Sequence, residues 1–272
     1  ISWRESRGEW GYSIGLVAST VNNEVLALGE GNEEILAGGL INEIGATTRT
    51  VVGGEIGAFW GYEAIGVFQT EQEIANSPTR GGEQPGDLIY KDQNGDGVIN
   101  TDDRVEIGSP IADWIFGVNL DFNYRGFDLS MSFDGQAGHD IFNAKRAVRF
   151  GVENFETSRL DRWTGPGTSN TEPRVTNAGH NYLPSTHFLE DGDFLRLRNL
   201  QVGYTIPVTF ANQIGVRNIR IYANASNVFT ITDYSGFTPQ IGGGNVLATS
   251  IDRFGGVYPV SSVYTGGIEI SF

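Results

Sequence analysis

Apolar and polar residues alternate with a period of two over several long stretches of this 272-residue chain, and the clearest stretch lies near its middle. Trp114, Phe116, Val118, Leu120, Phe122 and Tyr124 alternate with Ile115, Gly117, Asn119, Asp121 and Asn123. After Arg125-Gly126, Phe127, Leu129, Met131 and Phe133 alternate with Asp128, Ser130, Ser132 and Asp134. Successive side chains of a strand point to opposite faces, so the pattern predicts two strands, each greasy on one side and polar on the other, joined by a two-residue hairpin turn. The same period predicts strands over Gly8 to Ser19, Phe194 to Ile206, Asn218 to Thr232 and Tyr264 to Phe272. In the second of these the apolar positions change face near Asn199, which marks a bulge.

The stretches between are less regular. Val21 to Thr50 predicts a long excursion with weak hairpins, Gly53 to Gln69 a strand plus turn, Pro78 to Gly86 a loop, and Gly86 to Lys91 a short strand. Asp140 to Trp163 breaks the period, and Ala144, Ala147, Val148 and Phe150 beside Arg146, Arg149 and Glu153 predict a short surface helix. Gly165 to Leu183 is turn-rich, and Gly236 to Pro259 is another long glycine-rich loop.

Two architectures fit these strands. A soluble sandwich packs the greasy face on a core, whereas an outer-membrane barrel turns it to lipid and lines a wet interior with the polar face. Strands of about nine to eleven residues match the span of a tilted transmembrane strand, and Tyr and Trp at strand ends resemble an interfacial girdle. The pattern alone leaves both open. Composition agrees with either: 38 glycines and 11% aromatics suit a β-protein with many turns. No apolar run is long enough for a transmembrane helix. The mean hydropathy of −0.21 does not exclude a barrel, whose strands show lipid only every second residue. A net charge of −15 with pI near 4.5 excludes nucleic acid as a natural partner. Without cysteine, no disulfide or thiol chemistry is available.

One stretch spells out a specific chemistry. Asp92, Asn94 and Asp96 occupy positions one, three and five of a twelve-residue loop, Gly97 sits at six, and Asp103 closes it. That is the spacing of an EF-hand-type calcium loop, in which short carboxylates and amides converge on a hard cation while the backbone turns at a glycine. Val98 would give its carbonyl, Asn100 would bind directly or through water, and Ile99 would point back into the local core. Asp103 stands where glutamate is usual, which shortens its reach and favours a single-oxygen contact. The alternative is an acidic surface loop with Asn-Gly and Asp-Gly turns. The flanks offer a strand before and turn residues after, not a helix pair, so the loop reads as a structural calcium (Ca2+) clip rather than a sensor.

Catalysis has little support. His139, His180 and His187 are scattered without metal spacing, and the adjacent acids Asp102-Asp103 and Glu190-Asp191 do not converge by sequence. There is no nucleophile elbow and no phosphate-binding glycine loop. Trp60, Trp114 and Trp163 are expected in girdle or core packing before sugar stacking.

Several stretches resemble the C-terminal part of the SusC/RagA family of TonB-dependent outer-membrane transporters of Bacteroidetes. They are the Gly86-Asp87 to Arg104 loop, Trp114 to Asp140 with its Tyr124-Arg125-Gly126-Phe127-Asp128-Leu129 turn, Leu160-Asp161-Arg162-Trp163, Phe194 to Tyr204, Asn227-Val228-Phe229-Thr230 and Tyr234-Ser235-Gly236. The ending on Phe272 resembles the signal read by the barrel-assembly machinery. The resemblance covers most of the chain and is clearest after Gly53.

It implies an all-β fold, the C-terminal portion of a large transmembrane antiparallel β-barrel of the 22-stranded type with long extracellular loops. Residues 1–272 would then be one barrel segment, with residues 92–103 the calcium loop within it. An N-terminal plug and the remaining strands would lie elsewhere, since a partial barrel leaves open edges that lipid forbids. The implied function is import of oligosaccharides or peptides across the cell outer membrane, energised by TonB through the plug-bearing portion and served by a SusD-like surface lipoprotein. Asn119, Asp121, Asn123, Asp128 and Asp134 would face the lumen. The reading from a different class is a secreted calcium-stabilised β-module for adhesion, which would be soluble alone.

Overall fold

The computed structural model describes residues 1–39, 45–148, 157–176, 179–242, 245–253 and 256–272. In chain order the strands are β1 (Ser2–Arg7), β2 (Trp10–Thr20), β3 (Glu34–Ala37), β4 (Thr48–Val51), β5 (Ala58–Gly61), β6 (Ala64–Val67), β7 (Leu88–Tyr90) and β8 (Val105–Gly108). They continue with β9 (Trp114–Tyr124), β10 (Phe127–Ala137), β11 (Asp140–Phe142), β12 (Leu189–Asp191), β13 (Phe194–Thr205), β14 (Asn218–Thr232) and β15 (Val263–Ser271). Among the described residues three short helices punctuate them: α1 (Glu71–Ala75), α2 (Ala144–Val148) and α3 (Val208–Gln213). None of the described helices is long and apolar enough to cross a membrane.

One antiparallel sheet of seven strands dominates, in the order β1-β2-β9-β10-β13-β14-β15. The alternation of the sequence sets its register. Ile14, Leu120, Met131, Leu200, Ala225 and Tyr264 form one row across the sheet, and Ser13, Asp121, Ser130, Gln201, Asn224 and Thr265 form the neighbouring row on the other face. Every predicted long strand is present. The bulge falls where the change of face placed it, with the register shifting between Ser132 and Phe133 on β10 and between Leu197 and Asn199 on β13. β1 was not predicted, because charged Arg4, Glu5 and Arg7 interrupt any apolar face.

The two ends of this sheet differ. Trp10 pairs with Tyr124, and Phe127 pairs with both Tyr124 and Tyr204, so the connections after β1, β9 and β13 lie at one end. The first two are two-residue turns, Gly8-Glu9 and Arg125-Gly126. In the second, Arg125 and Gly126 take φ of 45° and 85°, the positive-φ pair of a turn that matches strand twist. The long connections 21–113, 138–193 and 233–262 all leave from the opposite end.

Where the core sits decides between the two architectures. The three buried clusters centre on Phe59, Phe142 and Phe188; on Tyr62, Leu88, Tyr90 and Ile99; and on Ile141, Tyr234 and Ile241. All of these residues belong to the long connections, and no member of the three clusters comes from the seven-stranded sheet. Its apolar face is left open, with Trp10, Ile14, Leu16, Phe122, Phe127, Val202, Ile221 and Ile268 exposed. A sandwich covers that face with a second sheet. Here the second sheet, β3-β4-β5-β8, packs into the first of the connection clusters through Phe59 instead.

The predicted helix near Asp140 is α2, but it is not a surface helix. Ala144 and Ala147 are fully buried against Phe142 and Phe188. The small side chains that suggested an exposed amphipathic segment are what lets the helix seat closely. Arg149, Phe150 and Glu153 lie outside the described residues.

Candidate functional site

The polar face of the large sheet brings together residues scattered over the sequence. Asn119, Asp121, Asn123, Asp128 and Asp134 share this face, as expected from their parity. Three of them are tied to other strands of the sheet. Ser130 Oγ donates to Asp121 Oδ1 at 2.7 Å, and Ser132 Oγ donates to Asn119 Oδ1 at 2.8 Å. Arg220 reaches across β13 to Asp128 with two bonds of 3.1 and 2.6 Å, over Gly203, whose missing side chain makes the room. The pairing of Asp128 with Arg220 was not predictable, since the partners lie on strands separated by a third. The surface is therefore built of hydroxyls, amides and carboxylates, with Asp128 paired to Arg220, and is able to stay wet.

The acidic loop sits in the first long connection, between β7 and β8. Its geometry is local. Asp92 accepts from the amides of Gly95 at 2.7 Å and Gly97 at 2.8 Å, Asn94 Oδ1 accepts from Asp96 N at 2.9 Å, and Asp96 Oδ1 accepts from Val98 N at 2.8 Å. Gly97 takes φ of 83° in open space, so backbone conformation rather than crowding selects glycine there. Ile99 points inward as predicted, 3% exposed among Tyr62, Val67, Leu88 and Tyr90. Asn100 caps the turn Thr101–Asp103, and Asp103, fully buried, accepts from Gln93 N at 2.9 Å and Asn100 N at 2.8 Å.

The Gly97 amide holds the Asp92 carboxyl below the usual range, aided by the Gly95 and Asp96 amides and by the Asp103 side chain. Asp92 therefore stays anionic, as a cation ligand must. The donor set fits a hard cation: the side-chain oxygens of Asp92, Asn94, Asp96, Asn100 and Asp103 with the Val98 carbonyl. Three of these are carboxylates, yet among the described residues no group of three or more His, Cys, Asp or Glu gathers closely enough to hold a metal by itself. Any cation here depends on the amide and carbonyl oxygens.

The loop is fastened at both ends. Lys91 Nζ lies 2.8 Å from Glu63 Oε2, which also accepts from Gln93 Nε2 at 3.0 Å, and Ile99 N donates to Thr79 O at 3.0 Å. Just upstream, buried Asp87 accepts from Arg174 Nε at 2.7 Å and Nη2 at 3.2 Å and from Asn181 Nδ2 at 2.8 Å. This clasp joins two long connections, and its large sequence separation hid it from the sequence. Gly86 beside it has φ of 94°, and a Cβ there would meet the Trp163 ring and come 2.9 Å from Arg174 Cβ. Gly86→Ala is accordingly expected to destabilise the connections by about 2 kcal/mol or more, read as a lower unfolding temperature.

The histidines hold structural places. His180 Nε2 lies 2.6 Å from Leu88 O, and His187 packs edge-on against Phe188. Asp102 and Asp103 diverge, one exposed and one buried, while Glu190 bonds Asn143 and Ser235 and Asp191 bonds Asp193 N. Trp163 donates to Gln69 Oε1 at 3.1 Å, and Trp60 lies under the Arg49 guanidinium at 4.2 Å. Trp114 opens β9 and is exposed. Burial lowers the His187 pKa to about 3, with Arg146 and Arg159 adding to the effect. The unfolded chain then binds a proton below its ordinary value of 6.5 that the folded chain refuses, so folding stability falls as pH drops from 6.5 towards 3. The loss at pH 5 is on the order of 2 kcal/mol. His187→Gln should flatten that part of the pH dependence of the unfolding temperature.

No family model matches the chain. Curated proteins do. TonB-dependent receptor P3 of Formosa agariphila is 30% identical over 257 residues, covering 92% of this chain and 26% of the relative. TonB-dependent receptor SusC of Bacteroides thetaiotaomicron is 26% identical over 194 residues, covering 70% of this chain and 18% of SusC. In solved structures, the fold matches a chain of the RagAB peptide transporter with a TM-score of 0.75 at 22% identity, over 98% of this chain and 28% of that one. The chain thus spans about a quarter of the length of the relatives it matches, and its seven-stranded sheet is a segment of an antiparallel barrel wall. With nine-tenths of its residues aligned to a named receptor and its fold shared with a chain of RagAB, the chain is a homologue of the TonB-dependent receptors, SusC among them.

Proposed function

We propose that this chain forms part of the barrel wall and outer loops of a TonB-dependent importer in the cell outer membrane. The observation that carries the reading is the uncovered apolar face of the seven-stranded sheet, with every buried cluster lying in the long connections. Lipid is the medium that such a face suits, and the hydrogen-bonded polar face then lines a wet lumen. Short turns at one end and long connections at the other fit periplasmic and extracellular sides. The free edges of β1 and β15 require further strands of the same receptor, because lipid offers no partner for open backbone groups.

The names of the relatives support TonB as the energy source and a receptor role for this chain. A SusD-like surface lipoprotein is the partner that the SusC likeness suggests, and oligosaccharides or peptides are the cargo class. The loop at Asp92 to Asp103 serves as a structural calcium clip, using Asp92, Asn94, Asp96, Val98, Asn100 and Asp103. It fixes Ile99 beneath the outer connections.

Uptake tests the reading. Cells lacking the intact receptor, or lacking TonB, should each lose import of a labelled oligosaccharide or peptide pool that the parent strain takes up. Import of every such pool unchanged in both strains would contradict it.

A further inference from the structure

At the short-turn end, the connection from β13 to β14 differs from its neighbours. Gly8-Glu9 and Arg125-Gly126 are polar, as turns facing water should be, and Glu9 pairs with Arg125. The third connection is α3, entered through Pro207. Helical spacing puts Val208, Phe210, Ala211 and Ile214 on one arc and Thr209, Asn212 and Gln213 on the other. Only Ala211 is buried by the protein. Val208, Phe210 and Ile214 are 58%, 58% and 62% exposed.

α3 follows directly on the strand end that carries the apolar row. α3 begins two residues beyond Ile206, whose amide bonds Ile219 O, in line with Ile270 on β15. The adjoining row across the sheet is Trp10, Tyr124, Phe127, Tyr204, Ile221 and Ile268.

We propose that α3 is an interfacial anchor, lying along the lipid headgroup boundary at the short-turn end with Val208, Phe210 and Ile214 dipped into the leaflet and Thr209, Asn212 and Gln213 turned to water. The geometry is that of a one-and-a-half-turn amphipathic segment appended to an aromatic row, where the aromatics fix depth and the helix adds apolar area beside them. This rests on the barrel reading above.

Single spin-labelled cysteines in the intact receptor, reconstituted in phosphatidylethanolamine and phosphatidylglycerol bilayers, test it. The chain itself has no cysteine to interfere. Labels are placed by Phe210→Cys, Gln213→Cys, Ile268→Cys and Asn224→Cys, and the ratio of collisions with oxygen to collisions with a water-soluble nickel chelate is measured. The ratio at position 210 should exceed that at 213 several-fold and approach that at 268, with 224 behaving as water-exposed. A water-like ratio at 210, or a label there reached by neither reagent because other protein covers it, would overturn the anchor while leaving the barrel intact. A water-like ratio at 268 would overturn the barrel reading, and the anchor with it.

Discussion

Leu120→Arg is expected to destabilise the membrane-inserted receptor by about 2 to 4 kcal/mol, the cost of arginine at the bilayer midplane of a barrel. Leu120 lies mid-strand in β9, on the apolar face, between Ile14 and Met131. Nothing of the buried clusters covers that row, so the guanidinium would have to sit in hydrocarbon or drag water and headgroups towards it. The matched control is Ser130→Arg, on the opposite face beside Asp121. It should cost little, because the polar face keeps its water and Asp121 offers a counter-charge. Folding titrations in bilayers, monitored by gel mobility, read both. Equal costs at the two positions would mean that the faces do not see different media.

Calcium gives the second large effect. A site that binds only the folded loop adds about 2.7 kcal/mol when free calcium is a hundredfold above its dissociation constant. Asp92→Ala with Asp96→Ala should therefore lower the unfolding temperature in calcium and change it little in chelator. Asp103→Ala should behave differently. Its two oxygens already accept from the Gln93 and Asn100 amides in a fully buried place, so its loss leaves those donors unpaired under both conditions. Equal loss for the double variant with and without calcium would reduce the loop to a set of acidic turns.

What the sequence revealed follows from how local each signal is. β9, β10, β13, β14 and β15 were legible because each is apolar on one face and polar on the other, which writes a period of two into neighbouring residues. The Arg125-Gly126 turn and the acidic loop were legible for the same reason, since their geometry is set within a dozen residues. β1 was lost because Arg4, Glu5 and Arg7 disrupt the period, and its pairing with β2 comes through the Gly8-Glu9 turn. The short strands of the long connections pair only two to four residues at a time and owe their extension to clusters assembled from afar, as Phe59, Phe142, Tyr182 and Phe188 are. The Asp87, Arg174 and Asn181 clasp was invisible for that reason. So was the burial of α2, whose alanines look like those of any exposed helix until Phe142 and Phe188 are placed on them.

That this chain is one part of a membrane barrel is tested most directly by the intact mass of the native complex that contains it, taken after membrane fractionation. The expected result is an outer-membrane species that needs detergent, in which this chain is accompanied by the plug-bearing portion of the receptor and by a surface lipoprotein. A detergent-free soluble monomer of 29.6 kDa would contradict it and favour a secreted calcium-stabilised β-module instead.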